Sequence, residues 1–121
     1  MLVDDLPTIG DSDPDLRAQA HVLAFDVDDT LTWQGQLPPV AALALYAAHD
    51  AGLTLIAVTG RSYAWAEMLM RLFPLDAAVA ETGAVALVRG ARFLEVLHHE
   101  PDEEVRMAGA VVRDRAAARA L

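Results

Sequence analysis

The chain has 121 residues, of which 55% are hydrophobic, and such a chain is long enough to form one globular domain, or part of one, with a buried core. The formal net charge of -9 and the lack of any cluster of basic residues argue against nucleic acid as a partner. There is no cysteine, no basic secretory start and no apolar run of membrane-spanning length. We therefore expect a cytoplasmic protein that does not bind a membrane.

The first segment, residues 1–19, is polar and rich in turn-forming residues, with Gly10-Asp11-Ser12-Asp13-Pro14-Asp15 at its centre. It contains too little apolar surface to offset the entropy lost on ordering. The composition predicts a flexible leader.

From residue 20 onward, short apolar runs alternate with stretches that favour helix. Each apolar run stops abruptly at polar or flexible residues, as a buried strand does when it reaches a loop. The predicted elements are a strand at Val22–Phe25, a helix at Val40–His49, a strand at Leu53–Val58, a helix from about Tyr63 to Leu72, a strand at Ala77–Ala80, a hairpin with strands at Val85–Val88 and Phe93–Leu97, and a helix beginning at Pro101.

This alternation predicts the α/β class, specifically a Rossmann-like three-layer αβα fold with a parallel sheet and right-handed crossovers. In such sheets ligands bind at the carboxyl ends of the strands. Two polar clusters, Asp26–Thr32 and Thr59–Ser62, follow the first two predicted strands. We expect them to lie at the same edge of the sheet.

Asp26 and Asp28 follow the first strand with one residue between them. One carboxylate can attack phosphorus, provided that it is ionised, and Mg²⁺ would keep it so while offsetting phosphate charge; Asp26 suits this role. The leaving oxygen needs a proton from an acid that is protonated, a state favoured by partial burial or a nearby like charge; Asp28 suits that role. Ordinary turn chemistry, in which the acids bond their own backbone, stays open as an alternative.

Thr59, Gly60 and the helix start near Ser62 offer a hydroxyl and free backbone N–H groups. Phosphoryl transfer depends mostly on positioning and charge neutralisation, and such groups can surround the transferred phosphate. The alternative here is a strand end followed by a helix N-cap with no ligand.

The apolar strand followed by Asp26-Val27-Asp28-Asp29-Thr30-Leu31-Thr32 resembles the first motif of haloacid dehalogenase (HAD) superfamily phosphatases, and Val58-Thr59-Gly60-Arg61-Ser62 resembles their second motif. The third strand, the segment Ala80–Val85, the hairpin and the acidic helix are similar to the Cof-type branch, in which a cap domain is inserted at this point. Thr82 stands where that branch usually has Asn.

The resemblance implies a magnesium-dependent phosphatase that hydrolyses a small phosphorylated metabolite, such as a sugar phosphate, through an aspartyl phosphate. It implies that Asp26 is the nucleophile and a metal ligand, and that Asp28 is the acid/base and binds the metal through its main-chain carbonyl. It assigns phosphate binding to Thr59, together with Gly60 and Arg61. It further implies that residues 20–84 are the N-terminal half of a catalytic core and that residues 85–121 begin a cap.

All nine basic residues are Arg, so the chain has no lysine. Family members also use a lysine that steadies the phosphate and an acidic pair on a later strand, and neither is found in this sequence. We therefore expect the N-terminal portion of a longer phosphatase, with weak or no activity of its own.

Two alternatives stay open. The first is a non-catalytic fragment that binds phosphate or magnesium or forms a homo-oligomer. The second is a receiver-like phosphoacceptor domain, which would place its phosphorylated Asp after the third strand, where the sequence has Glu81.

Overall fold

The computed structural model describes residues 7–98. The elements are three α-helices, α1 (Pro14–Ala18), α2 (Pro39–Asp50) and α3 (Tyr63–Leu72), and five strands, β1 (Val22–Asp26), β2 (Thr54–Val58), β3 (Ala77–Ala80), β4 (Val85–Arg89) and β5 (Leu94–His98). The elements predicted within this range are present, to within one residue at each end. The helix predicted from Pro101 lies outside the described residues.

The five strands form one sheet in the order β1-β2-β3-β4-β5. β1, β2 and β3 are parallel, whereas β4 and β5 run antiparallel to their neighbours. The α/β Rossmann-like class is confirmed, but the sheet is mixed rather than wholly parallel. The connection between β3 and β4 is too short for a crossover, so β4 must return antiparallel.

The hairpin β4–β5 extends the sheet that holds β1 to β3. The boundary predicted at residue 84 therefore falls between two hydrogen-bonded strands, since Ala80 pairs with Val85. The division into leader, catalytic core and cap stays a prediction.

The core lies between the central strands and the helices α2 and α3, and α2 contributes the buried side chain of Leu45. The largest fully buried side chains are Leu55, Met70, Leu75 and Leu87. α3 buries Ala66, Leu69 and Met70, which share one face of the helix because they are three and four residues apart. This packing fixes the start of α3 relative to the ends of β2 and β3.

Arg89, the last residue of β4, binds the C-terminal end of α3. Its guanidinium donates hydrogen bonds to the carbonyl oxygens of Met70, Leu75 and Phe73. These bonds satisfy carbonyl groups that lack partners at a helix end. The hairpin and α3 are therefore joined at the sheet edge where β3 begins.

β1 is an edge strand in the part of the chain that the structure describes, because only β2 pairs with it. Val22 is 37% exposed and Leu23 is 38% exposed. The apolar run had predicted a buried strand, and that expectation is wrong for β1. An apolar run identifies a strand but not its position within the sheet.

Residues 7–20 contain a short 3₁₀ turn at Ile9–Asp11 and the helix α1, and all of these residues are exposed. Local hydrogen bonds define both turns; for example, the side chain of Asp13 accepts from the N–H of Asp15 at 2.9 Å. Within the described range, no helix has both the length and the apolar character required to cross a bilayer.

Candidate active site

The first candidate cluster begins at Asp26, which is the last residue of β1. The chain then makes a wide turn over Val27–Leu31, closed by the N–H of Thr32 donating to the carbonyl of Val27 at 3.0 Å. Asp29 has φ +57°, a left-handed conformation that Asp tolerates better than most residues. Val27 is only 2% exposed and anchors the turn in the core.

Threonine hydroxyls, rather than carboxylates, hold this turn together. Thr32 Oγ1 donates to the carbonyl of Val27 at 3.2 Å and accepts from the N–H of Asp29 at 3.2 Å. Thr30 Oγ1 donates to Asp26 Oδ2 at 3.0 Å, while Asp26 Oδ1 has no hydrogen bond to any described residue. None of the three carboxylates in this turn accepts a hydrogen bond from the backbone of a described residue, and Asp26 is oriented by Thr30 with one oxygen open.

The second cluster lies one strand away. Asp26 pairs in register with Val58, and neighbouring strands are about 4.8 Å apart. Thr59, which follows Val58, is 3% exposed; its N–H donates to the carbonyl of Val79 at 2.9 Å, and its Oγ1 accepts from the N–H of Arg61 at 3.0 Å. The loop after β2 is thereby held firmly beside Asp26.

Gly60 occupies a position where neither packing nor backbone conformation requires glycine. A Cβ placed there would lie 3.6 Å from Thr82 Oγ1, which is ordinary van der Waals contact, and φ is outside the left-handed region. Apart from the chain neighbours of Gly60, Thr82 Oγ1 is the only described atom within 4 Å of that position, which leaves space for a ligand to approach the backbone.

The third turn, Glu81–Gly83, lies at the same edge. Glu81, Thr82 and Gly83 have φ values of +52°, +56° and +95°. The left-handed conformation is uncommon for a β-branched residue such as Thr82, and strain of this kind often occurs at functional sites. The N–H of Glu81 donates to the carbonyl of Arg61 at 2.8 Å, so the second and third turns are bonded to each other.

Asp28 and Arg61 form an ion pair across the two clusters. Arg61 Nε donates to Asp28 Oδ2 at 2.8 Å and to Oδ1 at 3.0 Å, and Nη2 donates to Oδ1 at 2.7 Å. The hydrogen bonds from Arg61 lower the pKa of the Asp28 carboxyl and raise the pKa of the Arg61 guanidinium. From the sequence we expected the pKa of Asp28 to be raised so that the carboxyl is protonated. The structure gives the opposite direction, because a cation and not burial or a like charge dominates the surroundings of Asp28.

Trp65 is the residue at this edge that sequence reasoning missed. The guanidinium carbon of Arg61 lies 4.2 Å from the centroid of its ring, which is cation–π geometry. The sequence could have predicted this contact, because Arg61 and Trp65 are four residues apart where a helix was predicted to begin, and residues with that spacing lie next to each other on a helix. The structure thus brings together Asp28, Arg61 and Trp65.

The oxygen atoms at this edge suit a magnesium ion. The carboxylate of Asp26 and the main-chain carbonyl of Asp28 are hard donors of the kind that Mg²⁺ prefers, and Mg²⁺ commonly binds one or two carboxylates and completes its shell with water and substrate phosphate. Among residues 7–98, no group of three or more His, Cys, Asp or Glu side chains could hold a metal. The described residues therefore fit a partial magnesium site rather than a closed cage.

Comparison with known proteins agrees with this arrangement. The family model for haloacid dehalogenase-like hydrolases matches residues 23–103. A search of curated proteins gives no match.

Two solved structures are similar to this chain. One is the HAD-superfamily phosphatase BT1666 from Bacteroides thetaiotaomicron, with a TM-score of 0.53 and 27% identity over 78% of this chain and 35% of that chain. The other comes from work on a trigonal-bipyramidal intermediate in a phosphoryl-transfer superfamily, with a TM-score of 0.52 and 30% identity over 80% of this chain and 38% of that chain. The chain thus spans little more than a third of the length of these two structures.

The fold is a Rossmann-like α/β sheet whose first two strands end in an acidic turn and a Thr-Gly-Arg loop. The family match covers most of the chain, and the chain belongs to the haloacid dehalogenase-like hydrolase family.

Proposed function

We propose that this chain supplies the nucleophile and the phosphate-binding loop of a magnesium-dependent phosphatase that hydrolyses a small phosphorylated metabolite, such as a sugar phosphate. The supporting observation is that Asp26, oriented by Thr30 and with one carboxylate oxygen open, lies one strand spacing from the loop Thr59–Arg61. A phosphoryl group between them would meet a nucleophile on one side and, on the other, the Thr59 hydroxyl and the main-chain N–H of Gly60.

In the first step an Asp26 carboxylate oxygen attacks phosphorus and the bond from phosphorus to the alcohol oxygen breaks. Asp28, protonated once Arg61 no longer binds its carboxylate, gives its proton to the departing oxygen. In the second step Asp28 takes a proton from water as that water attacks phosphorus, which releases inorganic phosphate and restores the Asp26 carboxylate. The product classes are an alcohol and phosphate, so the activity is that of a phosphoric monoester hydrolase.

Asp26 and Asp28 would hold the magnesium ion, whose charge would offset that of the phosphate. Thr59 would orient the phosphoryl oxygens through its hydroxyl, and Gly60 would do so through its main-chain N–H. Arg61 carries the one cation among these residues and, in a chain without lysine, is the candidate to steady the phosphate.

A second candidate function is binding of phosphate or magnesium without turnover. It is favoured by the lack of lysine and by the engagement of Asp28 with Arg61, which keeps the proposed acid ionised. A cytoplasmic location and a homo-oligomeric state stay predictions from sequence.

The test is phosphate release from an aryl phosphate and a panel of sugar phosphates, with and without Mg²⁺, by this chain and by Asp26→Asn. Asn keeps the size of the side chain but removes the nucleophilic charge, so it also controls for contaminating phosphatases. Turnover that requires both Mg²⁺ and Asp26 supports the phosphatase. Magnesium-dependent phosphate binding without turnover supports the second candidate, and neither binding nor turnover would contradict both.

A further inference from the structure

We propose that Trp65 is a positioning residue, which holds the Arg61 guanidinium over its ring so that a phosphoryl group entering the site takes that guanidinium from Asp28. This inference rests on the proposed function, because it concerns how the same site receives phosphate. It assigns a role to a side chain outside the sequence motifs.

The position of Trp65 is not explained by the core. α3 packs its buried face through Ala66, Leu69 and Met70, whereas Trp65 is 42% exposed. A large aromatic ring left this exposed on a helix contributes less to core stability than a buried one. The guanidinium of Arg61 lies 4.2 Å from the centroid of its ring, which is the cation–π contact that this side chain makes.

The guanidinium has unused donors. Arg61 binds Asp28 through Nε and Nη2, and no described residue accepts a hydrogen bond from Nη1. A guanidinium has five N–H donors in one plane, so a second anion can bind its open edge before the first one leaves. Contact with the ring face keeps the guanidinium close to the ring, which favours transfer from one anion to another over rotation into solvent.

The ion pair is also suited to exchange. The side chains of Arg61 and Asp28 are 39% and 43% exposed, so water screens their attraction. A phosphoryl group carries more negative charge and more acceptor oxygens than one carboxylate, and it therefore competes well for a guanidinium. Asp28 would be released at the step in which phosphate arrives.

Two hydrogen bonds hold the main chain of Arg61 in place, so the proposed exchange involves its side chain. Its N–H donates to Thr59 Oγ1 at 3.0 Å, and its carbonyl accepts from the N–H of Glu81 at 2.8 Å. The exchange therefore needs a change of side-chain rotamer only, and Trp65 supplies the surface along which it occurs.

The experiment uses Trp65 as its own reporter in the Trp33→Phe variant, which leaves Trp65 as the sole tryptophan. Inorganic phosphate is titrated in the presence of Mg²⁺, with emission and calorimetry recorded on the same samples. We expect a saturable emission change whose midpoint matches the calorimetric Kd, and we expect Arg61→Gln to abolish the emission change.

The role of the ring is tested with Trp65→Leu and Trp65→Phe. Losing the aromatic face should weaken phosphate binding by about two- to fivefold, and Phe should restore most of it. Phe93→Leu is the matched control, since Phe93 is an exposed aromatic residue, 78% exposed, in the hairpin loop away from the candidate site. Thermal melting of each variant checks that it is folded, and if Trp65→Leu does not fold, the emission titration in the Trp33→Phe variant tests the proposal.

Phosphate binding without an emission change, or with equal affinity in Trp65→Leu and wild type, would overturn this inference and leave the proposed function standing. Emission changes that persist in Arg61→Gln would also overturn it. Absence of phosphate binding overturns the inference alone if the chain still turns over substrate, and overturns the proposed function as well if it does not.

Discussion

β1 and β2 are neighbouring parallel strands that each end in one half of the candidate site, yet they are supported very differently. In β2, Leu55 and Ala57 are 0% exposed and Thr54 is 2% exposed, whereas in β1 Val22 and Leu23 are more than a third exposed. β2 has a paired strand on each side, and β1 has one such neighbour among residues 7–98.

The difference shows that the two halves of the site depend on different forces. The loop Thr59–Arg61 is fixed by a buried strand and by hydrogen bonds to the β3 end. The acid turn Val27–Leu31 is fixed by its own threonine hydroxyls and by the single buried side chain of Val27. Substitutions around the loop Thr59–Arg61 should therefore lower the unfolding free energy more than substitutions around the acid turn, because more buried contacts support that loop.

The largest contrast should come from truncating one leucine in each strand. Leu55→Ala removes a fully buried side chain and should cost about 2–5 kcal/mol of unfolding free energy, whereas Leu23→Ala should cost about 1 kcal/mol or less. Urea unfolding monitored by circular dichroism measures both. Equal losses in the two variants would show that β1 is as well packed as β2.

A smaller contrast should come from removing one threonine hydroxyl from the loop after β2 and one from the acid turn after β1. Thr59→Val leaves the Arg61 N–H without its acceptor in a nearly buried position and should cost about 1–3 kcal/mol, whereas Thr30→Val lies in an exposed turn and should cost about 0.5 kcal/mol or less. Thr59→Ser keeps the hydroxyl and is the control. A cost in Thr59→Ser as large as in Thr59→Val would show that the methyl group, not the hydroxyl, matters.

Relief of strain in the third turn should stabilise the protein. Thr82 has φ +56°, and Asn tolerates this region better than a β-branched residue, so Thr82→Asn should raise the unfolding free energy by about 1 kcal/mol. Thr82→Val keeps the branching and should bring no gain. If Asn gives no increase in the denaturation midpoint over wild type, the turn is not strained.

The smallest effect concerns protonation. The pKa of Asp28 is lowered by hydrogen bonds from Arg61, so the pair stabilises the folded state above about pH 4 and this contribution is lost as pH falls through the lowered pKa. Arg61→Gln should raise the pKa of Asp28 and reduce this acid dependence. NMR titration of the carboxyl carbon reports the pKa directly, and an unchanged value in Arg61→Gln would show that another group controls it.

Much of the fold was predictable because strands and helices differ in apolar periodicity and because Gly52 and Pro74 mark helix ends. The exposure of β1 was not predictable, since an apolar run has the same sequence in a central strand and in an edge strand. The pairing of Asp28 with Arg61 joins residues 33 positions apart in sequence, and spacing along the chain carries no information on it. The two motifs predicted which turns meet, but not which side chains bind each other.

Arg89 couples the hairpin to α3. It ties the end of α3 to the hairpin at the sheet edge where β3 begins, while the first turn of α3 carries Trp65 at the opposite end. A helix of ten residues is a stiff rod about 15 Å long, so its two ends cannot be displaced independently. A twist of the hairpin would therefore be transmitted mechanically along α3 to the ring on which the Arg61 guanidinium rests.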